Sequence, residues 1–111
     1  MSSYLVEVTD TAVSDLCGIY DYIKLHLFES DTATRQRERI KGAILGLSSM
    51  PKRYSLISDG YLREQGIRFC PVDNYLIFYV VSDIERKVIV LRVLYARRDW
   101  QIILSDDSST L

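Results

Sequence analysis

The side chains able to do chemistry in this chain are few, and most are cationic. There is one histidine, His26, and there are two cysteines, Cys17 and Cys70, not in a CxxC pair. One imidazole without a Cys/His cluster makes no metal site, and it rules out a histidine pair for acid–base work on RNA. In a reducing compartment the two thiols read as free and packed as small hydrophobes. Gly42 and Gly46 lack the Lys-Ser/Thr that completes a phosphate loop. No cofactor is implied. What remains is arginine. Arg97 and Arg98 are adjacent, with Tyr95 before them and Trp100 after. Two guanidiniums among aromatic rings can grip a phosphate backbone or an acidic protein segment. The competing reading is a helix start whose dipole Asp99 complements. Arg92, between Val90 and Leu94, needs a partner, either an internal carboxylate or a ligand. Arg68 is either a target contact or an exposed strand residue paired with Asp or Glu.

The elements that must position these cations follow from periodicity. Tyr4-Leu5-Val6-Glu7-Val8 reads as a first strand. Thr9-Asp10-Thr11 supplies N-cap candidates, and Ala12, Leu16, Ile19, Tyr20, Ile23 and Leu27 then recur at spacings of three and four. Glu29-Ser30-Asp31-Thr32 offers caps for a second helix, with Ala33, Gln36, Ile40, Ala43, Ile44 and Leu47 on its apolar face and Pro51 ending it. The short connection predicts an antiparallel hairpin, whose two apolar faces require a sheet to cover. Arg35 and Arg39 fall on one flank of the second helix and Arg37 and Lys41 on the other, so they form two solvated rims instead of a binding stripe.

From Pro51 to Gly60 the chain reads as loop, and from Leu62 to Val72 as extended. Tyr75 to Val81 is nearly all apolar, the mark of a central strand covered on both faces. In Lys87 to Tyr95 the odd positions Ile89, Leu91, Val93 and Tyr95 are apolar, and this odd face is expected to meet the helices. Phe78, Tyr79 and Tyr20 are assigned to the core. A helical turn is expected near Arg97 to Leu104. The fold class is α+β, in the order β-α-α-β-β-β, with a helical hairpin on a mainly antiparallel sheet. Residues 1–104 are expected to form one domain and residues 105–111 a flexible acidic tail.

The chain has 111 residues, of which 48% are hydrophobic and 26% charged, with a net charge of −1. This balance excludes a globally basic nucleic-acid binder. The longest apolar run is far short of a membrane span. The first residues lack the basic and apolar regions of a signal peptide, so a cytoplasmic protein without membrane contact is expected.

Five phrases in this order resemble the RelE/ParE superfamily of bacterial toxins: Asp21-Tyr22-Ile23, Met50-Pro51, Gly66-Ile67-Arg68, Asn74 to Tyr79, and Leu91 to Trp100. The resemblance covers about residues 4 to 104. It implies the toxin of a type II toxin–antitoxin pair, growth-arresting when free and neutralised by a cognate antitoxin with which it forms a hetero-oligomer. RelE-like members cut mRNA on the ribosome, whereas ParE-like members inhibit DNA gyrase. Cleavage without metal or histidine needs other groups to move protons and cations to hold the phosphorane charge. Arg68 and Arg98 fit two places in the RelE-like set. Leu76 stands where such nucleases carry an Arg, Ile67 and Phe69 flank Arg68 without a lysine, and no Tyr follows Arg98. The resemblance therefore leans towards a gyrase-binding toxin, with a ribosome-dependent endoribonuclease, or an interaction domain without toxicity, as the alternatives. The implied target- or antitoxin-binding residues are Arg68, Arg92, Tyr95, Arg97, Arg98 and Trp100.

Overall fold

A computed structural model describes residues 3–109. Its order is β1 (Leu5–Val8), α1 (Asp10–Asp21), a π-helical turn (Tyr22–His26), α2 (Ser30–Gly46), a 3-10 turn (Pro51–Arg53), α3 (Gly60–Glu64), β2 (Arg68–Val72), β3 (Tyr75–Ser82), β4 (Lys87–Tyr95) and α4 (Trp100–Ser109). The strands lie in the order β1-β4-β3-β2. Only the β1–β4 pair is parallel; β2–β3 and β3–β4 are antiparallel hairpins. This is the expected α+β architecture.

Helix α1 starts where the sequence predicts. The Thr9 hydroxyl accepts the Ala12 amide at 3.1 Å, which satisfies one of the orphan donors of the first turn. Ala12 is fully buried at the contact with the sheet. From α2, Ile40, Ile44 and Leu47 meet Ile77 and Tyr79 of β3 and Val88, Val90 and Val93 of β4. The rims of α2 separate as expected. Arg39 donates to Asp73 at 2.7 and 3.0 Å beside Gln36, while Arg37 lies over the Tyr20 ring at 4.8 Å. The first helix is not regular to its end. Its last turn is π-helical, and Leu27 is half exposed.

The other face of the sheet carries a second core. Phe78, Leu76 and Val80 of β3 and Leu91 and Leu94 of β4 meet Ile57, Leu62 of α3, and Trp100, Ile103 and Leu104 of α4. Both faces of β3 are thus covered, as its unbroken apolar run requires.

Four sequence expectations change here. Residues 60–64 are helical and not extended, because Asp59 caps the Leu62 amide at 3.2 Å and Gly66, at φ 78°, reverses the chain before β2. The odd–even reading of β4 fails at a β-bulge: Phe78 pairs with Arg92 but Tyr79 with Val90, leaving Leu91 as the extra residue. Val88 and Val90 therefore face the hairpin before the bulge and Val93 after it, while Leu91 turns to the second core. The C-terminal helix continues past residue 104 to Ser109, and Thr110 and Leu111 lie outside the described residues. Finally, Cys70 is buried in the core while Cys17 is exposed, so only one of the two free thiols packs as a small hydrophobe.

Candidate functional site

Arg53, Arg68, Arg92, Arg97 and Arg98 divide into those held by the protein itself and those free for another molecule. Arg92 belongs to the first group. Its Nε and Nη2 donate to the Asp15 carboxylate of α1 at 2.7 and 2.9 Å, and its Nη1 donates to Asp107 of α4 at 2.8 Å. Its side chain is only 15% exposed and that of Asp15 only 12%. The bonds to the two carboxylates raise its pKa above the usual arginine value, so it stays charged. Of the two readings of Arg92, the internal ion pair is the one present in the chain by itself.

Arg68 is also engaged, in a way neither sequence reading anticipated. Its Nη1 donates to the carbonyls of Tyr54, at 2.7 Å, and Lys52, at 3.2 Å. Arg53 donates to the carbonyls of Gly46, Ser49 and Met50 at the end of α2. The Tyr79 hydroxyl donates to Pro51 O at 2.6 Å, and burial pushes its pKa up to about 12. These side chains staple residues 46–54, where Met50 has φ 47° and carbonyls would otherwise lack partners. Arg68 is thus a brace for the α2–β2 connection. Lys52 is paired with Asp83.

Arg97 and Arg98 are different. Both are exposed, and among the described residues neither guanidinium carries an ion pair or a hydrogen bond. They occupy the turn between β4 and α4, which is fixed by Ala96 N donating to Asn74 O at 2.8 Å and Arg98 N to Tyr95 O at 3.0 Å. Tyr95 is 38% exposed and meets Tyr75 edge-on, with ring centroids 5.9 Å apart. Burial raises the Tyr75 pKa, and the Tyr95 and Tyr22 hydroxyls nearby raise it further. Trp100 does not join this ledge. Its ring packs against Phe78 at 5.2 Å and anchors α4 to the second core. Of the six residues singled out for binding, the structure brings three together at an accessible surface: Tyr95, Arg97 and Arg98.

A second surface lies between the helices and β1. Val8, Val13, Leu16, Cys17, Tyr20, Ile44 and Leu45 line a shallow groove of about 450 Å³, with Arg37, Lys41 and Asp21 at its margin. Val13 and Leu45 are exposed large apolar side chains in its lining. The groove is apolar along its floor and mainly cationic at its α2 rim, which suits an amphipathic acidic segment. None of the residues singled out for binding from the sequence lines this groove. Val13, Leu16 and Tyr20, at helical spacing along α1, were the available signal. Among the described residues no group of three or more His, Cys, Asp or Glu could hold a metal ion, and no helix is long and apolar enough to cross a membrane.

The fold and the paired surfaces define a class. The architecture is shared with solved bacterial toxins: the chromosomal ParDE toxin–antitoxin system of P. aeruginosa (TM-score 0.67, 18% identity, 85% of this chain and 97% of that chain), the RelBE2 toxin–antitoxin complex of Mycobacterium tuberculosis (0.62, 23%, 84% and 98%), and a free mutant form of the E. coli toxin RelE (0.63, 15%, 98% and 98%). At these identities the likeness is one of fold. No curated protein sequence matches the chain. The family model of the ParE toxin of type II toxin–antitoxin systems matches residues 6–100, and the chain belongs to that family.

Proposed function

We propose that the protein is a cytoplasmic toxin that arrests growth by binding DNA gyrase through the Arg97–Arg98 ledge. One observation carries this reading: of the arginines that the resemblance places at a metal-free RNA-cutting site or a binding surface, Arg68 and Arg92 are occupied within the fold, while among the described residues Arg97 and Arg98 carry no ion pair or hydrogen bond. Phosphoryl-transfer chemistry needs several convergent groups to hold charge and move protons. The ledge offers two guanidiniums and a phenol, with Leu76 on the adjacent strand. Two free guanidiniums beside aromatic rings serve binding well: bidentate charge-assisted hydrogen bonds to carboxylates are strong and directional.

Neutralisation follows from the same surfaces. A cognate antitoxin presents an amphipathic segment whose apolar side fills the α1–α2–β1 groove and whose acidic side chains meet Arg37, Lys41 and the ledge. The named neighbours from P. aeruginosa and M. tuberculosis, described as toxin–antitoxin assemblies, support a partner of this kind.

The test adds purified protein to a gyrase supercoiling reaction and, separately, to a translating extract. Loss of supercoiling, abolished by the double reversal Arg97→Glu and Arg98→Glu, is the expected result. Codon-phased mRNA cuts abolished by Arg98→Ala would replace this reading with a ribosome-dependent endoribonuclease. Silence in both assays, with no growth arrest on expression, would leave an interaction domain without toxicity. The same double reversal is expected to weaken the antitoxin complex and steepen its salt dependence.

A further inference from the structure

The connection between α1 and α2 carries an apolar spur that neither core nor groove uses. Tyr22, Leu25, Leu27 and Phe28 are 54%, 60%, 50% and 88% exposed. Four large apolar side chains within seven residues form a patch, unlike single hydrophobes scattered over a surface. The backbone is unusual at the same place. Tyr22–His26 is π-helical, and Phe28 sits in the left-handed region at φ 54°, which is strained for a bulky side chain. π-helical turns and strained residues concentrate where a side chain is being presented to a partner.

The spur adjoins the ledge. Gln36 and Arg39 in the first half of α2 hold Asp73 of the β2–β3 turn at 3.0 and 2.7 Å. The next residue, Asn74, accepts the Ala96 amide at 2.8 Å, and Tyr75 meets Tyr95 edge-on. The turn that carries Arg97 and Arg98 therefore lies at the same end of the molecule as the start of α2, which the spur immediately precedes.

Area and charge select the occupant. The four side chains expose roughly 500 Å² at the sizes of large apolar residues, against about 800 Å² per partner in a stable interface. The spur alone is too small to hold a second copy of this chain, but it suits one half of a larger contact whose other half is acidic.

We propose that spur and ledge are the two ends of one target-binding surface, and that the target is a single protein presenting an acidic patch beside an apolar pocket that receives Phe28. This rests on the reading of the chain as a target-binding toxin and adds the location of the apolar half.

The test compares wild type with the double variant Phe28→Ser/Leu25→Ser, expressed as the full chain. Four quantities are read: growth arrest on induction, affinity for gyrase, affinity for the cognate antitoxin, and thermal unfolding. The expected result is loss of arrest, with gyrase affinity falling roughly ten-fold or more as for a central contact residue, while antitoxin affinity and the unfolding midpoint stay near wild type. Phe28→Trp, which keeps a large apolar ring, is expected to retain arrest. Full arrest from the double variant overturns the proposal, as does an equal loss of antitoxin affinity, which would assign the spur to the antitoxin. If the double variant unfolds, Phe28→Ala alone carries the measurement. A wild-type chain that neither arrests growth nor binds gyrase overturns the underlying reading instead, and does so before any substitution is made.

Discussion

One face of the sheet is covered by Ala12, Ile40, Ile44 and Leu47, drawn from two helices of 12 and 17 residues. The opposite face is covered by Ile57 from a loop, Leu62 from a five-residue helix, and Trp100 and Leu104 from the C-terminal helix. Each cover buries a comparable set of strand side chains, Ile77 and Tyr79 on one side and Phe78 and Leu94 on the other, all 1% exposed or less. The difference lies in how the covers are assembled. A long helix repeats its apolar period several times and announces its buried face. A cover made of short pieces contributes one or two buried residues from each, and no piece is long enough to show a period. The second cover is nonetheless as dry at its centre, so a core can be complete without being periodic.

This comparison can be broken most directly at β3. Phe78→Ala removes the central ring of the second core, and Ile40→Ala truncates the first. The expected costs are about 3–5 and 2–5 kcal/mol respectively, read from urea unfolding of each variant. A cost below about 1 kcal/mol for Phe78→Ala would mean that the second cover is a loose lid. Next in size is Asp15→Ala. It strips Arg92 of its principal partner in a site 15% exposed, and breaking a pair this enclosed is expected to cost about 3 kcal/mol. Asp107→Ala removes the exposed arm of the same cluster and should cost about 0.5 kcal/mol or less. Equal losses from the two would show that α4 holds Arg92 as firmly as α1 does.

The smallest effect concerns pH. Hydrogen bonds from Arg39 and Gln36 lower the Asp73 pKa below the ordinary carboxylate value, and Lys52 and Tyr4 do the same to Asp83. A carboxylate depressed in the folded state contributes stability above its unfolded pKa, near 3.8, and loses it as pH falls through the folded value. The unfolding midpoint should therefore decline below about pH 4, and less steeply in Arg39→Ala. A decline of the same steepness in that variant would show that Asp73 contributes nothing to it.

The order of strands and helices was legible from the chain because each hairpin element is long, alternating or periodic. The start of α1 was readable from Thr9, and β3 from its unbroken apolar run. The short helix α3 was read as extended, because five residues show no helical period, and two larger features were also not legible. The bulge at Leu91 moves the buried face from even to odd positions within one strand, and Lys87 to Tyr95 read by simple alternation gives one face throughout. The fate of the arginines was equally hidden. Arg92 and Arg98 lie close together in the chain, yet Asp15, 77 residues before Arg92, claims the first, and among the described residues no ion pair or hydrogen bond holds the second. Long-range carboxylates decide which cations are available, and local context carries no trace of them. The ledge was anticipated in Tyr95, Arg97 and Arg98. Trp100 was not separable from it, because its ring turns inward only once Phe78 is in place.

Asp15 has a second bond whose effect reaches the whole assembly. Strand β1 ends at Val8, opposite Val90, and leaves the rest of β4 without a neighbour on that side. The Asp15 carboxylate takes the amide of Val93 at 3.0 Å, and the Thr9 hydroxyl donates to the carbonyl of Leu91 at 3.0 Å. Two side chains from the start of one helix thereby occupy positions that a visiting strand from another molecule would need. In this carboxylate and hydroxyl the chain has a built-in stopper against zipping up with its own kind.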